Sequence, residues 1–120
     1  AGADYYFRTR ATGSTFFTVT QAAAAKASPE QVLDLDAWYL LVGVYNGARV
    51  YFYANAVRGA GTAAAGPIDT AGANLTIGMR VSSNDDLWIG QLTWPRVWPW
   101  AFTDAQVWTM FNNERGWFAR

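Results

Sequence analysis

Residues 38–55 read WYLLVGVYNGARVYFYAN, two apolar runs of strand length on either side of Asn46-Gly47. Both turn residues tolerate the positive φ that a type I′ turn demands, so the stretch predicts a β-hairpin in which residues 38–45 pair antiparallel with residues 49–55. A turn made by Asn46-Gly47 alone sets Tyr45 opposite Ala48, Val44 opposite Arg49 and Val42 opposite Tyr51. Opposed residues share a face, so the same register sorts the side chains into two sets.

Strand signals continue on both sides. Residues 5–10 and 15–20 are rich in aromatic and β-branched residues and flank Ala11-Thr12-Gly13-Ser14, which predicts a first hairpin. Residues 21–27, rich in Ala, lack an apolar stripe and read as a small-residue connector. Ser28-Pro29-Glu30-Gln31 has the form of a helix start, a capping Ser with Pro at the first helical position and Gln three residues later, and predicts one helical turn ending near Leu33. Residues 59–72 read as a long surface connection with a mobile tip, residues 74–80 as a strand, residues 81–86 as a polar loop, and residues 87–98 as a long strand interrupted by Pro95. Thr103-Asp104-Ala105-Gln106 is a second capping box, with Val107, Met110 and Phe111 at helical spacing behind it. A short C-terminal helix is expected there.

A length of 120 residues suits one domain with a real core. The seven Trp, six Tyr and seven Phe are scattered through the chain, leaving no continuous apolar run of membrane-spanning length. A soluble globular domain is expected. Lys plus Arg equal Asp plus Glu, so the electrostatic footprint of a nucleic-acid binder is missing. The chain has no His and no Cys, which removes Ser-His-Asp and Cys-His nucleophiles, the usual zinc ligands and any disulfide framework.

From Trp38 onward the order of features resembles the laminin-G-like, concanavalin A-like jelly-roll domains. The residues that carry the resemblance are Trp38, then Tyr53-Ala54-Asn55-Ala56, then Leu75-Thr76-Ile77-Gly78, then residues 90–98 (GQLTWPRVW), then Ala101-Phe102-Thr103-Asp104-Ala105-Gln106-Val107. Ala56 stands where the family pattern has a turn Gly, Thr93 where it has an acid, and Pro95 where it has a branched aliphatic. The resemblance implies an all-β antiparallel sandwich, a jelly roll with one short C-terminal helix, over a single domain of residues 1–120. About six strands are legible against the eight of a full roll, so the domain is expected to be incomplete on its N-terminal side. Its sheet would then be completed by a neighbour or by further sequence of a longer chain.

Trp94, Arg96, Trp98 and Trp100 alternate, and on an unbroken strand they would share one face with Arg96 between indoles. Such a row, with Tyr51 and Tyr53 of the hairpin, is either core or subunit interface, or else a platform for the apolar face of a sugar. Asn84, Asp85 and Asp86 form an oxygen-rich loop that could hold calcium or serve as a solvated turn; the resemblance adds weight to calcium, which related domains carry at a rim. No other cofactor is expected. Retaining glycosidases need two carboxyl groups about 5 Å apart, whereas Glu30 and Glu114 are the only glutamates and lie far apart in sequence.

The expectation is therefore a non-catalytic structural or binding module. A virion structural or decoration domain is the first choice, with glycan adhesion as an added role, and a carbohydrate-binding module of an extracellular bacterial protein is the second. Expected partners are other subunits of an assembly or the rest of a longer chain, and surface glycans. Nucleic acid and membrane insertion are not expected. The location implied is a virion, or the extracellular space or cell surface.

Overall fold

The computed structural model describes residues 5–70, 75–78 and 87–118. The first sheet contains β1 (Tyr5–Thr9), β2 (Ser14–Gln21), β3 (Ala24–Ala27) and β4 (Gln31–Val32); the second contains β5 (Leu41–Tyr45), β6 (Arg49–Ala54), β7 (Val57–Arg58) and β8 (Thr62–Ala63). After them comes α1 (Asp104–Glu114), closed by a 3-10 turn at Arg115–Trp117. Eight strands are present among the described residues, where the sequence suggested about six. All pairings are antiparallel.

Both sheets share one plan. A two-stranded hairpin is flanked on its second strand by a third strand broken into two short pieces. In the first sheet β3 pairs with Thr18 to Gln21 of β2, and β4 pairs with Ser14 and Thr15. The gap between them falls at Pro29, which has no N–H to give. Ser28 spans it, donating its N–H to Phe17 O at 2.8 Å and accepting the Phe17 N–H on its hydroxyl at 3.0 Å. The Ser-Pro-Glu-Gln stretch is thus the break between β3 and β4, with Gln31 opening β4, and not the predicted helical turn, because the Ser hydroxyl serves a strand N–H of β2. Likewise β7 and β8 pair with opposite ends of β6, and the Gly59 N–H and Gln31 Nε2 both reach Phe52 O at 3.0 Å in the gap.

The predicted connector at residues 21–27 contains a tight turn and β3. Ala22 and Ala23 both have positive φ, 48° and 62°, the pattern of a type I′ hairpin. Alanine dislikes this region, so the turn carries no sequence signal. Asp69 holds it in place, its two carboxylate oxygens accepting the Ala22 and Ala23 N–H groups at 2.8 Å each. Ala23 is exposed, so Ala23→Gly sacrifices no packing. We expect it to raise stability by about 0.5–1 kcal/mol, read as a higher urea midpoint at unchanged m-value.

The central hairpin forms where predicted, with its register two residues away. Tyr45 pairs with Val50, Val44 with Tyr51 and Val42 with Tyr53. Only Gly47 of the turn has positive φ, 90°. Asn46 instead caps the turn, its side-chain oxygen accepting the N–H groups of Ala48 at 3.0 Å and Arg49 at 2.8 Å, which moves the bend one residue along the chain. A slip of two leaves every side chain on its expected face.

Leu41, Gly43, Tyr45, Val50, Phe52 and Ala54 face inward in the pairing, and most of them form the inter-sheet core with Phe17 and Val19 of β2. Val50, Phe52 and Val19 are fully buried. The opposite face of the hairpin, Val42, Val44 and Tyr53, packs on Val107 of α1 and on Phe102, so β6 is buried on both sides. That double burial explains its nearly unbroken apolar run. Thr103 caps α1 as predicted, accepting the Gln106 N–H at 3.2 Å while Gln106 Oε1 accepts the Thr103 N–H at 2.9 Å.

Three other expectations are corrected. Residues 59–70 are woven into the fold: Ala64 is buried, Ile68 packs on the core, and Gln21 Nε2 donates to Ala64 O at 3.0 Å and Gly66 O at 2.8 Å. Residues 71–72 lie outside the described residues. Residues 75–78 form no strand, and the rest of the predicted strand over 74–80 lies outside the described residues. Residues 87–98 form no strand either, because Gly90 at φ 140° and Trp94 at φ 49° turn the backbone out of the extended region and Pro95 offers no ladder donor. Among the described residues no helix is long and apolar enough to cross a membrane.

Candidate functional site

Two surfaces carry the chemistry-bearing side chains. The first is a cleft of about 460 Å³ between the outer face of the β5–β6 hairpin and the start of α1. Val44, Tyr51 and Phe102 supply apolar wall, and Asn46, Arg58 and Asp104 supply polar groups. Pairing in β6 places Tyr51 and Tyr53 on this face, while β7 places Arg58 opposite Tyr53. The capping box fixes Asp104 as the first residue of α1.

These groups form a linked set. The Tyr53 hydroxyl donates to Asp104 Oδ1 at 2.6 Å, and Arg58 lies 3.4 Å from the same oxygen. The Arg58 guanidinium also sits over the Tyr51 ring, 4.8 Å from its centroid. Tyr53 is only 2% exposed, and its pKa is pushed up from 10 to about 12, first by burial and then by the hydrogen bond to Asp104 and that carboxylate's charge, with Arg58 pulling the other way. The folded pKa exceeds the unfolded one, so this stability is complete below pH 10 and drains away as pH rises toward 12. The urea midpoint should fall over that window by more in the natural chain than in Tyr53→Phe. Equal losses in both chains would remove Tyr53 as the cause.

The second surface is the irregular segment that leads into α1. The predicted row of Trp94, Arg96, Trp98 and Trp100 is split. Trp94 packs edge-on against Trp117 and Phe118, with centroids 5.7 and 5.5 Å away, and Trp38 joins at Phe118, 4.9 Å away. Trp98 and Trp100 both lie against Phe102, at 4.8 and 6.1 Å. Arg96 stays with Trp98, 5.4 Å from its ring centroid, while its fork grips the Glu114 carboxylate at 2.6 and 2.9 Å.

Asn84, Asp85 and Asp86 lie outside the described residues, and with them the calcium reading. Among the described residues no cluster of three or more acidic, His or Cys side chains could hold a metal ion. Both glutamates are engaged by arginine, Glu30 by Arg10 at 3.0 Å and Glu114 by Arg96. Sequence reasoning named Tyr51 and Tyr53 but missed Arg58 and Asp104, which sit 46 residues apart. The helix cap made the place of Asp104 legible; nothing local announced its partner.

Two antiparallel sheets packed face to face, with a helix on the outer face of one, define a concanavalin A-like sandwich. The chain belongs to the laminin-G-type family described as the concanavalin A-like lectin/glucanases superfamily, whose family model matches residues 1–108. That match begins well before Trp38, where the sequence resemblance was located. Comparison with curated proteins and with solved structures gives no match.

Proposed function

We propose that this domain is a non-catalytic structural module that works packed against other protein subunits, in a virion shell or decoration layer. The observation that carries the reading is the apolar surface of the segment leading into α1. Ile89 is 97% exposed, Val97 63% and Trp100 57%, and Leu92 and Trp94 are about half exposed. On α1 and its closing turn, Trp108 and Trp117 are also more than half exposed. Water-exposed apolar area on this scale marks a site of protein contact, and Trp and Arg lead among interface anchors. The virion setting rests on composition, a cysteine-free and His-free aromatic sandwich suited to close packing. The fold itself hosts many functions.

The non-catalytic part is supported by the carboxylates, since each glutamate is held in an ion pair with an arginine and the two lie far apart in sequence, whereas retaining glycosidases need a close carboxyl pair. Incubation with laminarin or lichenan should release no reducing sugar. Release that disappears on replacing one Asp would overturn this. For the contact surface, the triple variant Ile89→Ser, Val97→Ser, Trp100→Ser should elute later than the natural chain in size exclusion while melting as cooperatively. Identical elution of the two chains would place the contact elsewhere.

A second reading, a carbohydrate-binding module of an extracellular bacterial protein, is favoured by the half-exposed indoles of Trp94 and Trp100. Glycan-array binding abolished by Trp98→Ala at unchanged melting temperature would select it.

A further inference from the structure

We infer that Asn46 is a site of covalent self-modification: the Gly47 backbone nitrogen attacks the Asn46 side-chain amide, and the residue becomes aspartate or isoaspartate. Water is the co-reactant. The inference is independent of the assembly reading, because it uses the turn of the central hairpin and not the exposed segment before α1. Asn46 and Gly47 are both exposed, and the Gly47 N–H donates to no group among the described residues. No side chain crowds that nitrogen, and a Cβ built at Gly47 would meet nothing within 4 Å, so there is room for a ring to close and for water to open it. The electrophile is prepared as well. Asn46 Oδ1 accepts the N–H groups of Ala48 at 3.0 Å and Arg49 at 2.8 Å, which polarise the Cγ carbonyl and face the oxygen on which negative charge develops during attack. Asn46 is the only asparagine that precedes a glycine. Asn55 precedes Ala56 and is tied to the Leu40 N–H at 2.9 Å, while Asn112 and Asn113 lie in α1, where the following amides belong to the helix ladder.

The step balances without a cofactor. Gly47 N gives its proton to solvent and bonds to Asn46 Cγ; the tetrahedral centre then expels the side-chain nitrogen as ammonia and leaves a five-membered succinimide. Water adds to one of the two imide carbonyls. Opening at the former side-chain carbonyl restores the backbone and gives aspartate. Opening at the other gives isoaspartate, whose main chain runs through the former side chain and is one methylene longer. Aspartate keeps an oxygen for the Ala48 and Arg49 N–H groups, now as charge-assisted bonds. Isoaspartate lengthens a turn that the Asn46 N–H closes on Arg49 O at 3.2 Å, and turn length holds the β5–β6 register, so this product is the less stable one. Both add a negative charge. Asn46 lines the cleft in which Arg58 and Asp104 balance each other, so conversion turns that cleft net negative and marks the age of the chain on this face.

The test is warm incubation of the natural chain, without denaturant, for several weeks at neutral and at mildly alkaline pH, followed by isoelectric focusing and peptide mass mapping. The formal net charge is zero, so each event shifts the chain by one full charge and the product separates as an acidic species. That species should accumulate faster at the higher pH, because the attacking nitrogen must lose its proton, and mapping should place the amide-to-acid mass gain at Asn46 in the tryptic peptide 27–49. Part of it should be labelled by isoaspartyl methyltransferase, and that fraction should have a lower urea midpoint than the aspartate fraction. Gly47→Ala crowds the nucleophile and should slow conversion about tenfold or more. Alanine at φ 90° is strained, so Asn46→Gln supplies a second arm: its longer side chain must close a six-membered ring, and conversion should again fall about tenfold or more. No acidic species after the full incubation overturns the inference. So does conversion centred on another asparagine, or an unchanged rate in Asn46→Gln.

Discussion

Gly43→Val is expected to leave the chain unfolded, and Gly43→Ala to fold with a stability loss of about 3 kcal/mol. Gly43 lies in β5 where the two sheets meet, and a Cβ built there falls 2.3 Å from Cγ of Phe17 and 2.4 Å from its Cδ1. The ring cannot yield. Phe17 is buried in the core with Val50 and Phe52, and Phe7 packs against it with centroids 5.0 Å apart. One added methyl in a closed core costs about 1–3 kcal/mol, and this contact is tighter than any real Cβ contact, so the upper end applies. Valine adds two further carbons against a total stability of about 5–15 kcal/mol. Urea unfolding of Gly43→Ala measures the effect. Phe17→Leu in the same chain should recover part of the loss, a coupling of about 0.5–3 kcal/mol. An alanine variant as stable as the natural chain would mean that the sheets do not approach as described.

Gly13→Ala is expected to cost about 2–4 kcal/mol, from two sources acting at one atom. Gly13 closes the β1–β2 hairpin at φ 84°, a conformation that alanine adopts only under strain. A Cβ there would also lie 2.3 Å from the carbonyl oxygen of Leu33, a backbone atom with no rotamer to change. The Leu33 N–H donates to Gly13 O at 2.9 Å, so the glycine and the end of β4 are locked together. The variant should therefore loosen β4 first, seen as faster hydrogen exchange at Leu33 than at Phe52. A loss below about 0.5 kcal/mol would contradict this junction.

What was legible in the sequence was what local chemistry announces. Asn46-Gly47 marked the central hairpin, and Thr103 with Gln106 marked α1, because in each case the deciding bonds join residues within three positions of one another. The elements that escaped depend on distant partners. The Ala22-Ala23 turn is held by Asp69, more than 40 residues away, and the break between β7 and β8 is served by Gln31 of β4. Ser28-Pro29 fits a helix start and a strand interruption equally well until Phe17 is known to face it. The alternation of residues 94–100 suggested a strand with one tryptophan face, and the left-handed backbone of Trp94 divided that row between two clusters.

The candidate cleft follows the same division. Strand alternation put Tyr51 and Tyr53 on one face, and the slip of the hairpin register by two did not move them off it. The Arg58 and Asp104 pair came from β7 and α1, elements brought together only by packing on that face.

The central claim, that the apolar surface before α1 is covered by a neighbouring subunit, is tested most directly by sedimentation velocity of the isolated chain from about 1 to 100 μM, a range that brackets micromolar association. The account predicts a weight-average mass that rises with concentration above that of a single 13.2 kDa chain. A concentration-independent monomer that also melts cooperatively would contradict it.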